Sequence, residues 1–474
     1  MINKRLNVGI AGLYFSNFEA VKHDIYPVSV LGLKKLAEEL SFNLIAYPEL
    51  VGGEADAVKA NSFFKDKDVD FLILQASSLI MGDVILPLAD NDFKFGFWMI
   101  PESDDGSEIQ LNSMTGYNLG VSILRKNFPD RKIKWFYGNT VDADFINRFS
   151  VSIRALTTLK CMSESRIAVA DEAVPGFINL TYDTNLLRKV FGLEIEQLPL
   201  EKLFAEISNQ PNESVKHTAD IKKKIISESS AVEVPETEID DSARTAEALM
   251  RLGSNLDFQA TALKCWPEFQ SEFHMAPCTA VAYLNDHGLP TSCEGDVPGA
   301  VSMLAAYYIN GDAPTMNDPV AINPEQNLVQ MWHCGPGPAS WADSKGRKIS
   351  WHHTLNRRVG ENERKYGLSS DLVFKEGAVT MLRISGDGRE IFILEGEVVP
   401  GPSKPYSGSG GWIGNLRSHG QDCSVSQLLQ LIAENGLDHH YPIMRGHHEK
   451  VLRELAAWTG MKVLEMPEVQ DYLI

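Results

Sequence analysis

The sequence predicts an α/β protein in which two open α/β (Rossmann-like) domains are followed by a β-rich, barrel-like C-terminal domain. Three observations carry this expectation. The first third of the chain alternates short, continuously apolar runs with amphipathic segments, the pattern of parallel strands covered on both faces by helices. The alternation restarts at Arg166–Ala170 after a long helical stretch. Beyond Thr315, glycine and proline become frequent, and the apolar runs turn short, β-branched and hairpin-spaced. A chain of 474 residues exceeds one ordinary core, and ~150 residues per domain implies about three. The expected boundaries are 1–160, 161–312 and 313–474.

In the first domain Leu6–Leu13 reads as a strand, Val28–Leu40 as a helix, and Asn43–Tyr47, Phe71–Gln75 and Phe95–Ile100 as further strands. Met114–Lys126 has helical spacing, Ile133–Tyr137 is a strand, and Ala143–Thr158 is a long helix leading out. Gly9 and Gly12 lack the spacing and third glycine of a dinucleotide fingerprint, so no nicotinamide cofactor is expected. The second domain opens with strand Arg166–Ala170 and helix Asn185–Phe191. Ser208–Glu238 is polar and reads as a surface excursion around one charged helix, Ala219–Ser227. A helix runs from Asp241 to about Asn255, with Ala246, Leu249, Met250 and Leu252 on one side. Ala260–Trp266 is a strand, His274–Asn285 a helix, and Val301–Ile309 a helix apolar nearly all round, hence buried. In the third domain, Gly377–Ser385 and Glu390–Val399 flank Gly386-Asp387-Gly388 as a hairpin, and helix Glu449–Trp458 with strand Lys462–Leu464 closes the chain.

Composition narrows the class of function. A formal charge of −19 argues against nucleic-acid and anionic-membrane partners, which require a basic face. No apolar run approaches the ~18 residues of a membrane span, and the chain enters a strand almost at its start, so a cytoplasmic protein is expected. The six cysteines are scattered without CxxC pairs and read as free, mostly buried thiols.

The chemistry concentrates between Thr291 and Gly335. Cys293-Glu294-Gly295-Asp296, Asn317-Asp318-Pro319 and Trp332-His333-Cys334-Gly335 place carboxylates and an imidazole beside residues that interrupt regular backbone, on either side of one buried helix. A second cluster, Asp438-His439-His440-Tyr441, lies near the other end. Together they suggest a divalent cation held by carboxylate oxygen and imidazole nitrogen. Each member also has an ordinary structural reading. Glu294 and Asp296 suit a helix N-terminus, Asp318 a turn, and His333 a core imidazole bonded to backbone. If His439 and His440 are extended, their rings diverge and at most one binds. Arg383 is expected to pair with Glu395 or Glu397, and the histidine pairs at 352–353 and 447–448 are expected to be structural.

The order of these stretches, with Asn327–Gly335, Thr380–Ser385 and Leu394–Glu397, resembles the L-fucose isomerase and L-arabinose isomerase superfamily. The resemblance is close over the second half and architectural over the first. It implies a metal-dependent aldose-ketose isomerase, commonly hexameric, using Mn²⁺ or a similar ion such as Mg²⁺ or Co²⁺. Glu294 and Asp318 match the acidic metal ligands that also transfer protons, and His440 matches the C-terminal histidine ligand. His333 matches a fourth ligand of the arabinose branch, so the chain combines the aspartate of one branch with the histidine of the other. The expected substrate is a pentose, a 6-deoxyhexose or a 6-substituted hexose, and the expected assembly a homo-oligomer, trimer or hexamer. Trp266, Trp332, Trp412 and Tyr441 are the candidate sugar-binding aromatics. A non-catalytic sugar-binding protein and a metal-dependent hydrolase or epimerase are the competing readings of the same ligand set.

Overall fold

The computed structural model describes residues 4–102, 108–357, 359–360, 363, 365–403 and 406–471. It divides into two compact units, Ile2–Lys160 and Cys161–Ile474. In the first, β1 (Asn7–Leu13), β2 (Asn43–Ala46), β3 (Phe71–Ala76), β4 (Lys94–Met99) and β5 (Ile133–Tyr137) form a parallel sheet in the order β2-β1-β3-β4-β5. Every residue of β3 is buried, which is why the run shows no in/out alternation. Helix Ile25–Leu40 begins earlier than its apolar spacing suggests because Pro27 falls in the first turn, where no backbone N–H is needed.

The second unit contains β6 (Arg166–Ala170), β7 (Glu194–Gln197), β8 (Ser229–Val232), β9 (Ala260–Leu263) and β10 (Thr291–Ser292). It continues with β11 (Thr315–Asn323), β12 (Leu328–His333), β13 (Arg347–Trp351), β14 (Leu368–Val373) and β15 (Gly377–Ile384). The last strands are β16 (Glu390–Val399), β17 (Ser409–Ser418), β18 (Gln421–Asp422), β19 (Tyr441–Arg445) and β20 (Lys462–Leu464). A parallel sheet runs β10-β9-β6-β7, and the remaining strands form one large mixed sheet. Within that sheet β19, β11 and β12 are neighbours, and β16 pairs with both β15 and β17. Helix Val297–Asn310 packs against β9, β15 and β19, so one element joins the parallel sheet to the mixed one. It is buried along almost its whole length, as its all-round apolar character requires.

Three local expectations are corrected. The polar stretch after Ser208 is not merely a surface excursion: helix Asn212–Ser227 leads into β8, which pairs in parallel with β13. Ser229, Ser230 and Ala231 carry no β-branched signal, so only the tertiary partner makes them a strand. Met250, expected on the apolar side with Ala246, Leu249 and Leu252, is 36% exposed, whereas those three are buried. The helix expected from His274 starts at Cys278, because His274 adopts a left-handed conformation (φ 56°) as the C-cap of the preceding helix, Glu268–Phe273. All six cysteines are free. Among the described residues, no helix is long and apolar enough to cross a membrane.

Candidate active site

Four side chains from separate parts of the second unit meet where its two sheets are joined. Glu294 follows β10, just beyond the carboxyl end of a parallel strand, a position where open α/β sheets place ligands. Its backbone is left-handed (φ 64°), and its carbonyl accepts the amide of Val174. The next residue must be glycine: Gly295 has φ 71°, and a Cβ there would lie 2.6 Å from the Glu172 carbonyl oxygen. Asp318 sits on β11 opposite Trp332 of β12, His333 ends β12, and His440 immediately precedes β19. Because β19, β11 and β12 are adjacent, residues far apart in sequence arrive at one end of one sheet.

The geometry is tight. His440 Nε2 is 3.3 Å from Glu294 Oε2 and 3.7 Å from Asp318 Oδ1. Ligand atoms of Glu294, His333 and His440 lie within 4.8 Å of one another, as do those of Asp318, His439 and His440. Asp318 Oδ1, His333 Nε2 and His440 Nε2 are buried without a hydrogen-bond partner. Such atoms call for a partner, since a buried polar atom left unpaired costs ~1–3 kcal/mol. A divalent cation fits this donor set of carboxylate oxygens and imidazole nitrogen.

Behind these groups is an ionic network that orients them. Asp296, fully buried, caps helix Val297–Asn310 by accepting the Gly299 amide at 2.8 Å. The same carboxylate accepts His440 Nδ1–H at 2.9 Å and both terminal nitrogens of Arg383, at 2.5 and 3.0 Å. Arg383 also donates to Asp438, at 2.6 Å. With Nδ1 committed as a donor, His440 turns Nε2 toward Glu294 and Asp318, the carboxylate–histidine arrangement that holds metal-binding imidazoles. Burial by itself would raise the Glu294 carboxyl, but the imidazoles of His439 and His440 hold it down to about 2. Burial likewise opposes charge on His440, yet Asp296 and Glu294 raise its pKa to about 10.

Sequence reasoning missed this support. Arg383 pairs with Asp296 and Asp438, not with Glu395 or Glu397, because its strand faces helix Val297–Asn310. In the sequence Asp296 reads as a helix-start residue; its second role appears when His440, 144 positions later, packs against it. The chain bends at His439, so the two adjacent rings do not diverge: their centroids are 4.1 Å apart, and His439 Nε2 is 3.5 Å from Glu294.

Among the aromatic candidates, Trp266 packs edge-on against Phe177, whose ring lies 5.0 Å from that of His439. Trp332 donates its indole N–H to Ser407, and Trp412 donates to Ser403. Tyr441 is buried against Phe392 in the β-rich core.

No family model matches the chain. It is similar to curated proteins named sulfoquinovose isomerase. The protein from Alkalicoccus urumqiensis is 26% identical over 403 residues, covering 84% of this chain and 86% of that protein. The one from Priestia aryabhattai is 25% identical over 426 residues, covering 88% and 89%. A shorter match, to Clostridium sp. (strain MSTE9), is 26% identical and covers 54% and 56%. LsrB from Clostridium saccharobutylicum in complex with AI-2 aligns with a TM-score of 0.16 and 9% identity over 77% of this chain and 95% of that one, too low to bear on the fold. The curated similarities make this chain an isomerase. Within that class they support a sugar isomerase.

Proposed function

We propose that the chain is a metal-dependent aldose-ketose isomerase of the L-fucose/L-arabinose type. Its substrate would be an aldohexose carrying a sulfonate at C6, as sulfoquinovose does. The observation that carries the reading is the convergence of the Glu294 and Asp318 carboxylates on His440 Nε2, at 3.3 and 3.7 Å. The names of the relatives supply the sugar class.

Glu294, Asp318 and His440 would hold a divalent ion, with Mn²⁺, Mg²⁺ or Co²⁺ favoured by the hard oxygen ligands. Once bound, the ion supplies Lewis-acid polarisation of the sugar carbonyl. The residues then divide the proton traffic. Glu294, ionised at neutral pH, and Asp318 flank the reacting carbons. One removes the proton from C2 and returns it to C1, while the other moves the hydroxyl proton between O2 and O1, so the aldose becomes a ketose with no atom gained or lost. Such acid–base assistance is worth ~10²–10⁴-fold. Asp296 and Arg383 keep His440 in its orientation and take no proton from the sugar.

The assembly is proposed to be a trimer or hexamer, which sedimentation checks. The central test is direct: purified protein with Mn²⁺ should convert sulfoquinovose to its ketose, lose that activity in chelator and regain it with Mn²⁺. Turnover unaffected by Glu294→Gln and Asp318→Asn would reject the assignment.

A further inference from the structure

We propose that His333 is a hydrogen-bond donor to a reacting oxygen of the sugar, not a metal ligand; this rests on the function proposed above and deepens it. The two buried imidazoles of the site, with ring centroids 5.5 Å apart, are held in opposite ways. His440 Nδ1 faces a carboxylate, Asp296, and so keeps its hydrogen, which makes Nε2 the nitrogen that can release a proton and offer a lone pair to a cation. His333 Nδ1 faces a donor. The Cys334 amide donates to it at 2.9 Å, and the Cys334 thiol lies 3.2 Å from it. Nδ1 acting as an acceptor puts the hydrogen on Nε2, which is buried and unpartnered, in a residue grouped with Glu294 and His440. A nitrogen bearing hydrogen has no lone pair to give a cation.

A buried N–H close to carboxylate and imidazole groups does have a use in this reaction. When the proton leaves C2, negative charge develops on the carbonyl oxygen, and a fixed donor stabilises that charge more than it stabilises the ground-state sugar. His333 is fixed, being at the end of β12, in register with Ser409 of β17. The groups facing it are Cys334, Asp318, Glu294 and His440, and the described contacts give its Nε2 no acceptor among them. A substrate oxygen supplies the missing one.

The test separates donor from ligand. Nitrogen-15 spectra of the full-length protein with diamagnetic Mg²⁺ should show His333 protonated at Nε2 and His440 protonated at Nδ1. His333→Ala should lower kcat by ~10²–10³-fold, the usual loss of one such donor. Its Mn²⁺ dissociation constant should stay within about threefold of the parent, whereas loss of even an outer-sphere partner typically costs 10-fold or more. His333→Gln, whose amide offers an N–H at similar reach, should recover part of kcat. A tenfold or greater loss of Mn²⁺ affinity in either variant, or a His333 protonated at Nδ1, overturns the proposal. Should His333→Ala not fold, the spectrum of the unsubstituted protein decides alone. Failure of that protein to bind Mn²⁺ or form ketose would overturn the function proposed above; an Nδ1–H His333 in an active enzyme would overturn only this inference.

Discussion

Asp296 shows how one side chain can be invisible to catalysis yet determine it. Its two oxygens together accept from the Gly299 amide, two nitrogens of Arg383 and Nδ1 of His440. Burial would push its pKa up, but Arg383 and His440 outweigh that and hold it well below the usual carboxylate range. Asp296→Asn replaces one acceptor atom by a donor that meets Arg383 or His440 head-on. We expect ~10–100-fold weaker Mn²⁺ binding, the typical effect of losing a carboxylate behind a metal-binding histidine, read by Mn²⁺ titration.

The raised pKa of His440 has a definite sign. In metal-free protein its folded value is about 10, against ~6.5 unfolded. Its contribution to stability is therefore complete below the unfolded value and lost as pH rises through the folded one. A cation must displace that proton, so Mn²⁺ binding should release one proton and tighten roughly tenfold per pH unit across the window. Calorimetry in buffers of different ionisation enthalpy measures both, and a heat independent of buffer would contradict the assignment.

At the level of elements, the site depends on a turn and on the register of three strands. The turn Cys293–Asp296 delivers Glu294 outward and starts helix Val297–Asn310 within a few residues. That is possible because two consecutive positions adopt left-handed backbone, one of them a glycine pressed against Glu172. Gly295→Ala should cost ~1–3 kcal/mol of stability through forced strain and lower kcat by displacing Glu294. Thermal melting and steady-state kinetics read the two effects, and full activity in this variant would show that the turn tolerates a side chain. The buried helix was legible in the sequence, because apolar residues all round a helix leave it no solvent face. β8 was not, since a short serine-rich strand has no periodicity of its own and exists only through pairing with β13.

For the whole molecule, all the proposed ligands belong to the unit Cys161–Ile474, so cation binding should be linked to the stability of that unit. At a Mn²⁺ concentration of 100 times its dissociation constant the expected gain is ~2.7 kcal/mol. Differential scanning calorimetry with Mn²⁺ and with chelator should show the shift, and Glu294→Gln should abolish it.

By itself the sequence determined the alternation of strands and helices, the β-rich character of the last third, and which side chains carry carboxylate and imidazole chemistry. These follow from interactions within a few residues, where spacing along the chain equals spacing on an element. Only the tertiary structure decided that Arg383 bridges Asp296 and Asp438, that Tyr441 packs on Phe392, and which nitrogen of His333 and of His440 faces the site. Those are matters of hydrogen-bond partners brought together by packing across long sequence separations, and no local pattern records which donor will meet which acceptor.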